Sequence, residues 1–226
     1  RLTVIGVTGT DGKTTTSNLI HQVLLAAGKA AGMISTVNAV IGDEVIDTGF
    51  HVTTPDAPDV QRYLARMAAA GLTHVVLEST SHGLAQHRVD GCEFDIGVVT
   101  NITHEHLDYH GSYEAYRAAK GRLFSSLTET REKRQGNPRL AVLNRDDGSY
   151  DYLSGLVTVN QIGYSTEDAT AGLWAEGIEQ DARGLRFTAH GPGFEVQIET
   201  PLVGLFNVSN ILAALGACVV GSGIAP

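Results

Sequence analysis

The chain has 226 residues, of which 42% are hydrophobic and 18% are charged. That length allows one large domain or one domain with an appendage, and the composition excludes a disordered chain. Acidic residues outnumber basic ones by 25 to 16, which gives a net charge of −9. Nucleic acids and anionic membranes are bound by basic faces, so the charge argues against both partners, although it is compatible with a small basic pocket for a phosphate.

Two cysteines, Cys92 and Cys218, are too few for a disulfide scaffold or a zinc ribbon, so we expect a reducing, cytoplasmic compartment. The longest apolar run, Ile211–Val220, has about half of the ~20 residues that a membrane span needs. The chain begins without Met or a signal peptide and ends in mid-pattern at Pro226. We therefore expect a piece of a longer protein.

The first part of the chain alternates predicted strands with predicted helices. Apolar runs predict the strands, and a helical spacing of apolar residues predicts the helices. In chain order these elements are strand Leu2–Val7, helix Lys13–Ala27, strand Met33–Ile41 with a possible hairpin at Gly42, helix Asp56–Ala70 and strand Thr73–Glu78.

The alternation continues with strand Phe94–Thr100, helix Tyr113–Leu127 and strand Leu140–Leu143. This order predicts an α/β fold with a mostly parallel sheet and helices on both faces. From about Val157 to residue 200, short alternating segments predict a small antiparallel β appendage. A last predicted helix, Asn207–Val220, returns to the α/β pattern.

The most specific motif is the glycine-rich segment Gly9–Thr15, between the first strand and the first helix. Its glycines let backbone N–H groups turn towards a phosphate, and the helix N-terminus adds partial positive charge. Lys13 is placed to reach β- and γ-phosphates, and Thr14 to bind Mg²⁺. Val7 stands where the standard spacing has Gly, but the Gly-Lys-Thr core and its context predict a phosphate-loop NTPase-like domain.

Glu78 ends a predicted buried strand, at the edge where ligands bind in open α/β sheets. A carboxylate there can hold Mg²⁺ opposite the phosphate loop. A helix cap or a buried ion pair is the structural alternative for this residue.

The segment His104–His110 is dense in metal-ligand residue types. It permits a rival hypothesis, a di-zinc hydrolase. Tyr109 separates Asp108 from His110, however, and distal histidine ligands are not evident. A single histidine that supports a Mg²⁺ site is favoured.

Several motifs follow one another in a fixed order: Gly9–Thr15, Glu78–Gly83, Thr100-Asn101, His106–Gly111, Ala119–Phe124, Asn144–Asp147 and Gly204–Asn210. Together they resemble the central ATP-binding domain of the Mur ligases, from about Val4 to Val220. Thr53-Thr54-Pro55 and Ser81–Val89 are similar to the UDP-N-acetylmuramoyl-tripeptide synthetase (MurE) branch of that family.

The resemblance implies an ATP-dependent acid–amino-acid ligase of peptidoglycan precursor synthesis. In that family ATP phosphorylates a carboxylate of a UDP-MurNAc-peptide, and an incoming amino acid then displaces phosphate. Two Mg²⁺ ions and accurate positioning carry the catalysis.

The resemblance also implies roles by position. The implied catalytic residues are Lys13, Glu78, His106 and Lys120. The implied nucleotide-binding residues are Gly9, Thr10, Asp11, Gly12, Lys13, Thr14, Thr15 and Asn207. The implied metal ligands are Thr14, Glu78, His106 and a Lys120 that CO₂ has carbamylated. The implied UDP-MurNAc-peptide contacts are Thr53, Thr54, Thr80, Gln86 and Arg88. Asp11 stands where the family usually has Asn, which puts a typical nucleotide affinity in question.

Full-length members of the family have three domains, with a uridine-binding domain before the central one and an amino-acid-selecting domain after it. We expect residues 1–226 to be the central domain, which does not ligate without those domains or a partner chain. Two alternatives stay open. One is a folylpolyglutamate or poly-glutamate synthase-like ligase, against which Thr53-Thr54 and Ser81–Val89 argue. The other is a non-catalytic ATP-binding module that works with a partner chain.

Overall fold

Eleven strands form one mixed sheet in the computed structural model, which describes residues 2–47 and 54–226. The strands are β1 (Thr3–Thr8), β2 (Ala31–Ile34), β3 (Asn38–Ile41), β4 (Glu44–Asp47), β5 (His74–Glu78), β6 (Ile96–Val99), β7 (Leu140–Asn144), β8 (Asn160–Ser165), β9 (Leu173–Asp181), β10 (Gly184–Gly191) and β11 (Phe194–Thr200). Their spatial order is β11-β10-β9-β8-β7-β6-β1-β5-β2-β3-β4.

Helices connect and cover these strands. They are α1 (Lys13–Ala26), α2 (Ala57–Ala69), α3 (Ser81–Ala85), α4 (Leu107–His110), α5 (Tyr113–Ser125), α6 (Tyr150–Leu156) and α7 (Phe206–Leu215). A 3₁₀ turn, Ser126–Thr128, extends α5, and a π-helical segment, Gly216–Gly221, extends α7. Among residues 2–47 and 54–226, none of the helices has both the length and the apolar composition of a membrane span.

The middle strands are parallel and buried on both faces. β1 pairs in parallel with β5 on one side and with β6 on the other. Alternate residues of β1 point into hydrophobic cores on opposite faces of the sheet. Ile5 packs in the core formed with α1 and α7, and Val4 packs in the core formed with α2 and α5. A strand with period-2 side chains and helices on both sides needs this continuous apolar run. The predicted fold class is confirmed.

The predicted single strand Met33–Ile41 is wrong, because it is two antiparallel strands, β2 and β3. The turn between them is closed by the N–H of Ser35, which donates to the Asn38 carbonyl at 2.9 Å. The Ser35 hydroxyl also accepts from the N–H of Val37 at 3.2 Å. Such local side-chain hydrogen bonds compete with strand continuation. The hairpin predicted at Gly42 is present between β3 and β4.

The change of sheet direction comes later than the sequence pattern indicates. β8 pairs in parallel with β7 and was not predicted. β9 pairs in parallel with the last two residues of β8, Tyr164 and Ser165, and the antiparallel pairing follows through β10 and β11. The antiparallel strands therefore extend the edge of the main sheet. Helix α6 was also not predicted, because its short segment carries little helical periodicity.

Candidate active site

The candidate site lies at the carboxyl edge of the parallel strands. β1 leads into the loop Gly9–Gly12, β5 ends at Glu78, and β6 leads into Thr100 and Asn101. β1 lies between β5 and β6 in the sheet. The three strand ends therefore bring these residues together.

Two glycines with positive φ shape the loop. The φ angle is 152° at Gly9 and 76° at Gly12. A Cβ atom at Gly9 would collide with the Thr100 hydroxyl, and one at Gly12 with the Asn210 side-chain oxygen. Only glycine combines this backbone with this close approach. No side chain caps the N-terminus of α1 at Gly12, so its first N–H groups suit an anion.

The strand end after β6 braces the loop. Asn101 accepts the N–H of Thr10 at its carbonyl, at 2.8 Å, and the N–H of Asp11 at Oδ1, at 2.9 Å. The Thr100 hydroxyl donates to the Asp11 carbonyl at 2.5 Å. The backbone of Asp11 is therefore fixed, while the residue itself is exposed.

Lys13 and Lys120 both donate to carbonyl groups of the loop. Nζ of Lys13 lies 2.7 Å from the Thr10 oxygen, and Nζ of Lys120 lies 2.5 Å from the Gly9 oxygen. Two lysine side chains thus lie against neighbouring peptide units of the loop. The positive charge of Lys13 suits a polyphosphate.

Glu78 faces the start of α1 and is 1% exposed. Its two carboxylate oxygens each lie 3.1 Å from the Thr14 hydroxyl. No lysine, arginine or histidine of residues 2–47 and 54–226 forms an ion pair with it. A buried carboxylate without a cationic partner is costly. Oxygen donors of this kind are the ligands that Mg²⁺ prefers, so the pair fits that ion.

Lys120 is buried on α5 at 2% exposure. Burial and, to a smaller extent, the nearby Lys13 lower the pKa of Lys120 to about 7, against the opposing effect of Glu105 and Asp11. The Lys120 ammonium lies 4.5 Å from the ring centroid of Tyr116. The side chain is therefore a neutral amine in a substantial fraction of molecules at neutral pH, and in that form it can react with an electrophile.

Tyr116 connects Lys120 to the loop. The residue is fully buried, and its hydroxyl lies 3.0 Å from the Thr10 hydroxyl. The Thr10 hydroxyl also accepts from the N–H of Thr103 at 3.0 Å. Burial raises the pKa of Tyr116 to about 12, so its phenol stays protonated.

His106 belongs to a group of aromatic rings beside these residues. Its ring centroid lies 6.2 Å from that of Tyr116 and 4.9 Å from that of His82. His82 in turn lies 4.2 Å from Tyr109 and 5.4 Å from His110. Burial lowers the pKa of His82 and of His110, and neighbouring cations act in the same direction. Asp108 opposes the shift, and the neutral form of both imidazoles is favoured.

The di-zinc hypothesis finds no support in this geometry. His104 stacks on Tyr113 with ring centroids 4.6 Å apart, away from the other histidines of its segment. Within the described parts of the chain, no group of three or more His, Cys, Asp or Glu side chains could hold a metal ion.

Four of the predicted substrate residues lie around the end of β5. The Thr54 hydroxyl lies 3.1 Å from that of Thr80, which caps α3 by accepting the N–H of Gly83. Arg88 donates to the Thr54 carbonyl at 2.8 Å, and Gln86 donates to the Tyr109 hydroxyl at 3.0 Å. Thr53, the fifth predicted contact, lies outside the described residues.

Asn207 is buried at the start of α7, behind the loop. Its amide donates to the Val203 carbonyl at 2.8 Å and its oxygen accepts from Asn210 at 3.0 Å. The Asn210 oxygen accepts from the Thr16 hydroxyl of α1 at 3.3 Å. These two asparagines therefore join α7 to the helix that carries the loop.

Three neighbours of the site were given no role from the sequence: Thr36, Asn101 and Tyr116. Thr36 was hidden because its segment was predicted as continuous strand. Tyr116 lies one helical turn before Lys120, so the spacing of four on a helix is the signal that could have found it. Asn101 follows a predicted strand at the same edge as Gly9, which is a usable signal as well.

The strand order, the glycine loop and the buried acid at the next strand end define a class, the phosphate-loop NTPase-like α/β domains. Within this class the chain belongs to the Mur ligase middle domain family, which matches residues 7–218. The resemblance expected from the sequence is confirmed.

Relatives with curated names support this membership. The chain is 44% identical over 219 residues to the UDP-N-acetylmuramoyl-L-alanyl-D-glutamate--2,6-diaminopimelate ligase of Geobacillus thermodenitrificans, which covers 97% of this chain and 44% of the relative. It is 42% identical over 217 residues to the UDP-N-acetylmuramyl-tripeptide synthetase of Deinococcus radiodurans. This match covers 96% of this chain and 42% of the relative. The chain thus spans less than half the length of these relatives.

A solved structure agrees with the sequence relatives. A UDP-N-acetylmuramoyl-L-alanyl-D-glutamate--2,6-diaminopimelate ligase superposes with a TM-score of 0.85 at 32% identity, over 100% of this chain and 47% of that one. The fold and the sequence therefore point to the same branch of the family.

Proposed function

We propose that this chain is the ATP-binding domain of a ligase that adds an amino acid to a UDP-MurNAc-peptide in cytoplasmic peptidoglycan precursor synthesis. The observation that carries the proposal is the Thr14 hydroxyl against the buried, cation-free carboxylate of Glu78, beside a glycine loop that suits a polyphosphate. The similarity to MurE-type relatives at 42–44% identity supports the substrate class.

The proposed reaction has two steps. A carboxylate oxygen of the peptide attacks the γ-phosphorus of ATP, and the bond to the β–γ bridging oxygen breaks to give an acyl phosphate and ADP. The amino nitrogen of the incoming amino acid then attacks the acyl carbon, loses a proton and expels phosphate. ATP is needed because a carboxylate and an ammonium do not condense favourably in water, whereas phosphate is a good leaving group.

The loop Gly9–Thr15 would hold the triphosphate through its N–H groups and the N-terminus of α1. Lys13 would exchange the Thr10 carbonyl for the β- and γ-phosphate oxygens. Asn207 would contact the adenine, from the end of α7 that faces the loop helix. Asp11 is exposed, so its carboxylate can point away from the phosphates, which lessens the expected repulsion.

Thr14 and Glu78 would hold one Mg²⁺ ion. When bound, such an ion offsets the charge of the phosphate oxygens. The protein's own contribution is to bury the carboxylate and to orient it with hydroxyl donors.

Lys120 and His106 would serve a second ion. An ammonium cannot bind a cation, so Lys120 must first lose its proton. The free amine attacks CO₂, forms a carbon–nitrogen bond and releases one proton to give an anionic carbamate. The low pKa of about 7 supports this step, because CO₂ adds to the neutral amine alone.

Thr53, Thr54, Thr80, Gln86 and Arg88 would contact the UDP-MurNAc-peptide. Arg88 is suited to an anionic group because its guanidinium offers several donors in a plane. We also propose that ligation needs the parts of the relatives that extend beyond the matched region, as flanking domains or on a partner chain. They would supply the uridine-binding and amino-acid-binding surfaces.

Calorimetry with ATP in the presence of Mg²⁺ and of EDTA tests the nucleotide site. We expect Mg²⁺-dependent binding that Lys13→Ala removes and Lys29→Ala retains, because Lys29 lies beyond the opposite end of α1. Equal binding by wild type and Lys13→Ala would contradict the proposed cradle.

A ligation assay with the intact ligase tests the substrate class. UDP-MurNAc-dipeptide with a panel of amino acids should give Mg-ATP-dependent amide product, and a folate acceptor should give none. Product with folate alone would favour the folylpolyglutamate alternative. Nucleotide binding without any turnover would favour a non-catalytic module.

A further inference from the structure

The turn between β2 and β3 places a second hydroxyl on the Glu78 carboxylate. Thr36 donates to Oε2 of Glu78 twice, from its hydroxyl at 2.9 Å and from its backbone N–H at 3.3 Å. We infer that Thr36 is a positioning residue, which holds one oxygen of Glu78 so that the other faces the cation. This inference rests on the proposed function of Glu78 as a metal ligand.

The sheet register explains why Thr36 arrives at this place. β2 pairs in parallel with β5, with Ile34 opposite Leu77. One residue further along both strands, Ser35 lies level with Glu78, and Thr36 follows just beyond the strand end. The turn is closed by its own hydrogen bond from Ser35 to Asn38 at 2.9 Å. The sheet and the turn therefore position the backbone of Thr36, and its hydroxyl also lies 3.4 Å from that of Thr14.

Thr36 and Thr14 both donate hydrogen bonds to the Glu78 carboxylate, but they reach its oxygens differently. Both donors of Thr36 reach Oε2, whereas the Thr14 hydroxyl lies 3.1 Å from each oxygen. A hydroxyl has one proton, so Thr14 can donate to one oxygen at a time. A cation on the Thr14 oxygen leaves that single proton as the only hold of Thr14 on the carboxylate. Two donors from Thr36 then keep Glu78 from rotating.

A backbone donor and a side-chain donor on one residue allow a clean separation of roles. Thr36→Val keeps the N–H and nearly the same shape but removes the hydroxyl. Thr36→Ser keeps the hydroxyl and removes a methyl group. Thr158→Val is a matched control, because Thr158 is exposed and precedes β8 at the opposite edge of the sheet.

The test measures ATP affinity by calorimetry with Mg²⁺ and again with EDTA. Substitution of a residue that orients a metal ligand typically lowers the metal affinity about 10–100-fold. We expect Thr36→Val to weaken Mg-ATP binding about tenfold, with ATP binding in EDTA unchanged, and we expect wild-type affinities for Thr36→Ser and Thr158→Val. An equal loss in EDTA, or no rescue by serine, overturns the positioning role.

A crystal structure of the nucleotide-free Thr36→Val protein gives a readout that does not depend on nucleotide binding. We expect its Glu78 carboxylate to be rotated away from the wild-type orientation, and that of Thr36→Ser to be unchanged. An unmoved carboxylate in Thr36→Val overturns the inference. Wild-type ATP binding that ignores Mg²⁺ would instead contradict the proposed function, and the orientation of Glu78 would still decide the role of Thr36.

Discussion

Buried acids and lysines occur at both edges of the same sheet, but they are partnered differently. At the amino edge Asp95, just before β6, is fully buried, and the Nζ atom of Lys133 lies 2.5 Å from its Oδ2 atom. At the carboxyl edge Glu78 and Lys120 are equally buried, yet neither has an ion-pair partner among the described residues.

The Asp95–Lys133 pair ties chain segments together. Lys133 also donates to the carbonyl groups of Leu2 and Glu93, at 2.8 and 2.9 Å. Asp95 accepts the N–H of Val4 at 2.7 Å. The pair therefore fastens the start of β1, the start of β6 and the loop before β7. The two charges neutralise each other inside the protein, although the buried Oδ1 atom of Asp95 accepts no hydrogen bond from the described residues.

The two edges of this sheet therefore separate stability from chemistry. A charge that serves the fold is neutralised by another side chain. A charge that serves a ligand is buried by the fold but left for the ligand to neutralise. Four substitutions test this contrast, and the expected change in free energy decreases from the first to the last.

Lys133→Met should lower the free energy of unfolding by about 3–5 kcal/mol, because it leaves the Asp95 carboxylate buried without its cation. The loss should be smaller at pH 5 than at pH 7. Burial already raises the pKa of Asp95, and without Lys133 the folded protein binds a proton there more readily. Urea denaturation at both pH values measures this, with Lys29→Met as the control. A loss below about 1 kcal/mol at pH 7 would show that the pair is not structural.

Glu78→Gln should behave in the opposite way. The apo protein should be as stable as wild type or more stable, since an unpaired buried charge is removed. The Mg²⁺-dependent part of ATP affinity should fall about 10–100-fold, which is about 1.4–2.7 kcal/mol. Calorimetry and urea denaturation measure the two quantities, and Glu132→Gln, at an exposed residue, is the control. A large loss of stability in the nucleotide-free protein would show that Glu78, like Asp95, stabilises the fold.

Lys120→Met should remove a pH dependence of stability in CO₂-free buffer. The pKa of Lys120 is about 7 in the fold against 10.5 in its ordinary state, so the unfolded chain binds more protons above pH 7 and stability rises with pH. The gain between pH 7 and pH 8 should be about 1 kcal/mol larger in wild type than in Lys120→Met. Parallel pH dependences would mean that Lys120 stays an ammonium, which would also argue against a carbamate.

Tyr116→Phe should have the smallest effect, a loss of about 0.5–1 kcal/mol in the free energy of unfolding. The change removes one neutral hydrogen bond, and the Thr10 hydroxyl keeps its contact with the N–H of Thr103. The ring that faces Lys120 is retained. Thermal denaturation beside a Tyr63→Phe control measures this. A loss as large as that of Lys133→Met would show that neutral contacts of the loop matter as much as buried charges.

Much of the fold follows from local pattern. The apolar run before Gly9 and the helical pattern after Lys13 predict β1 and α1 nearly to the residue. The prediction of β1 succeeds because a strand that is buried on both faces needs apolar residues throughout. The split of Met33–Ile41 does not follow, since a turn closed by Ser35 and Asn38 uses residues that strands also tolerate. β8 was missed because its parallel pairing depends on β7, which lies about 20 residues earlier and is not part of the local sequence pattern.

Contiguous motifs are enough to predict the α/β class, the phosphate loop and the membership of the Mur ligase family. Which buried charges are paired depends on the tertiary structure. Lys120 lies in the motif Ala119–Phe124 and Lys133 does not, but neither local segment shows which lysine has an acidic partner. Their partners come from residues distant in the chain, Asp95 for one and the Gly9 carbonyl for the other. Burial and partnering are properties of the packed sheet, and they set the charge state that the chemistry requires.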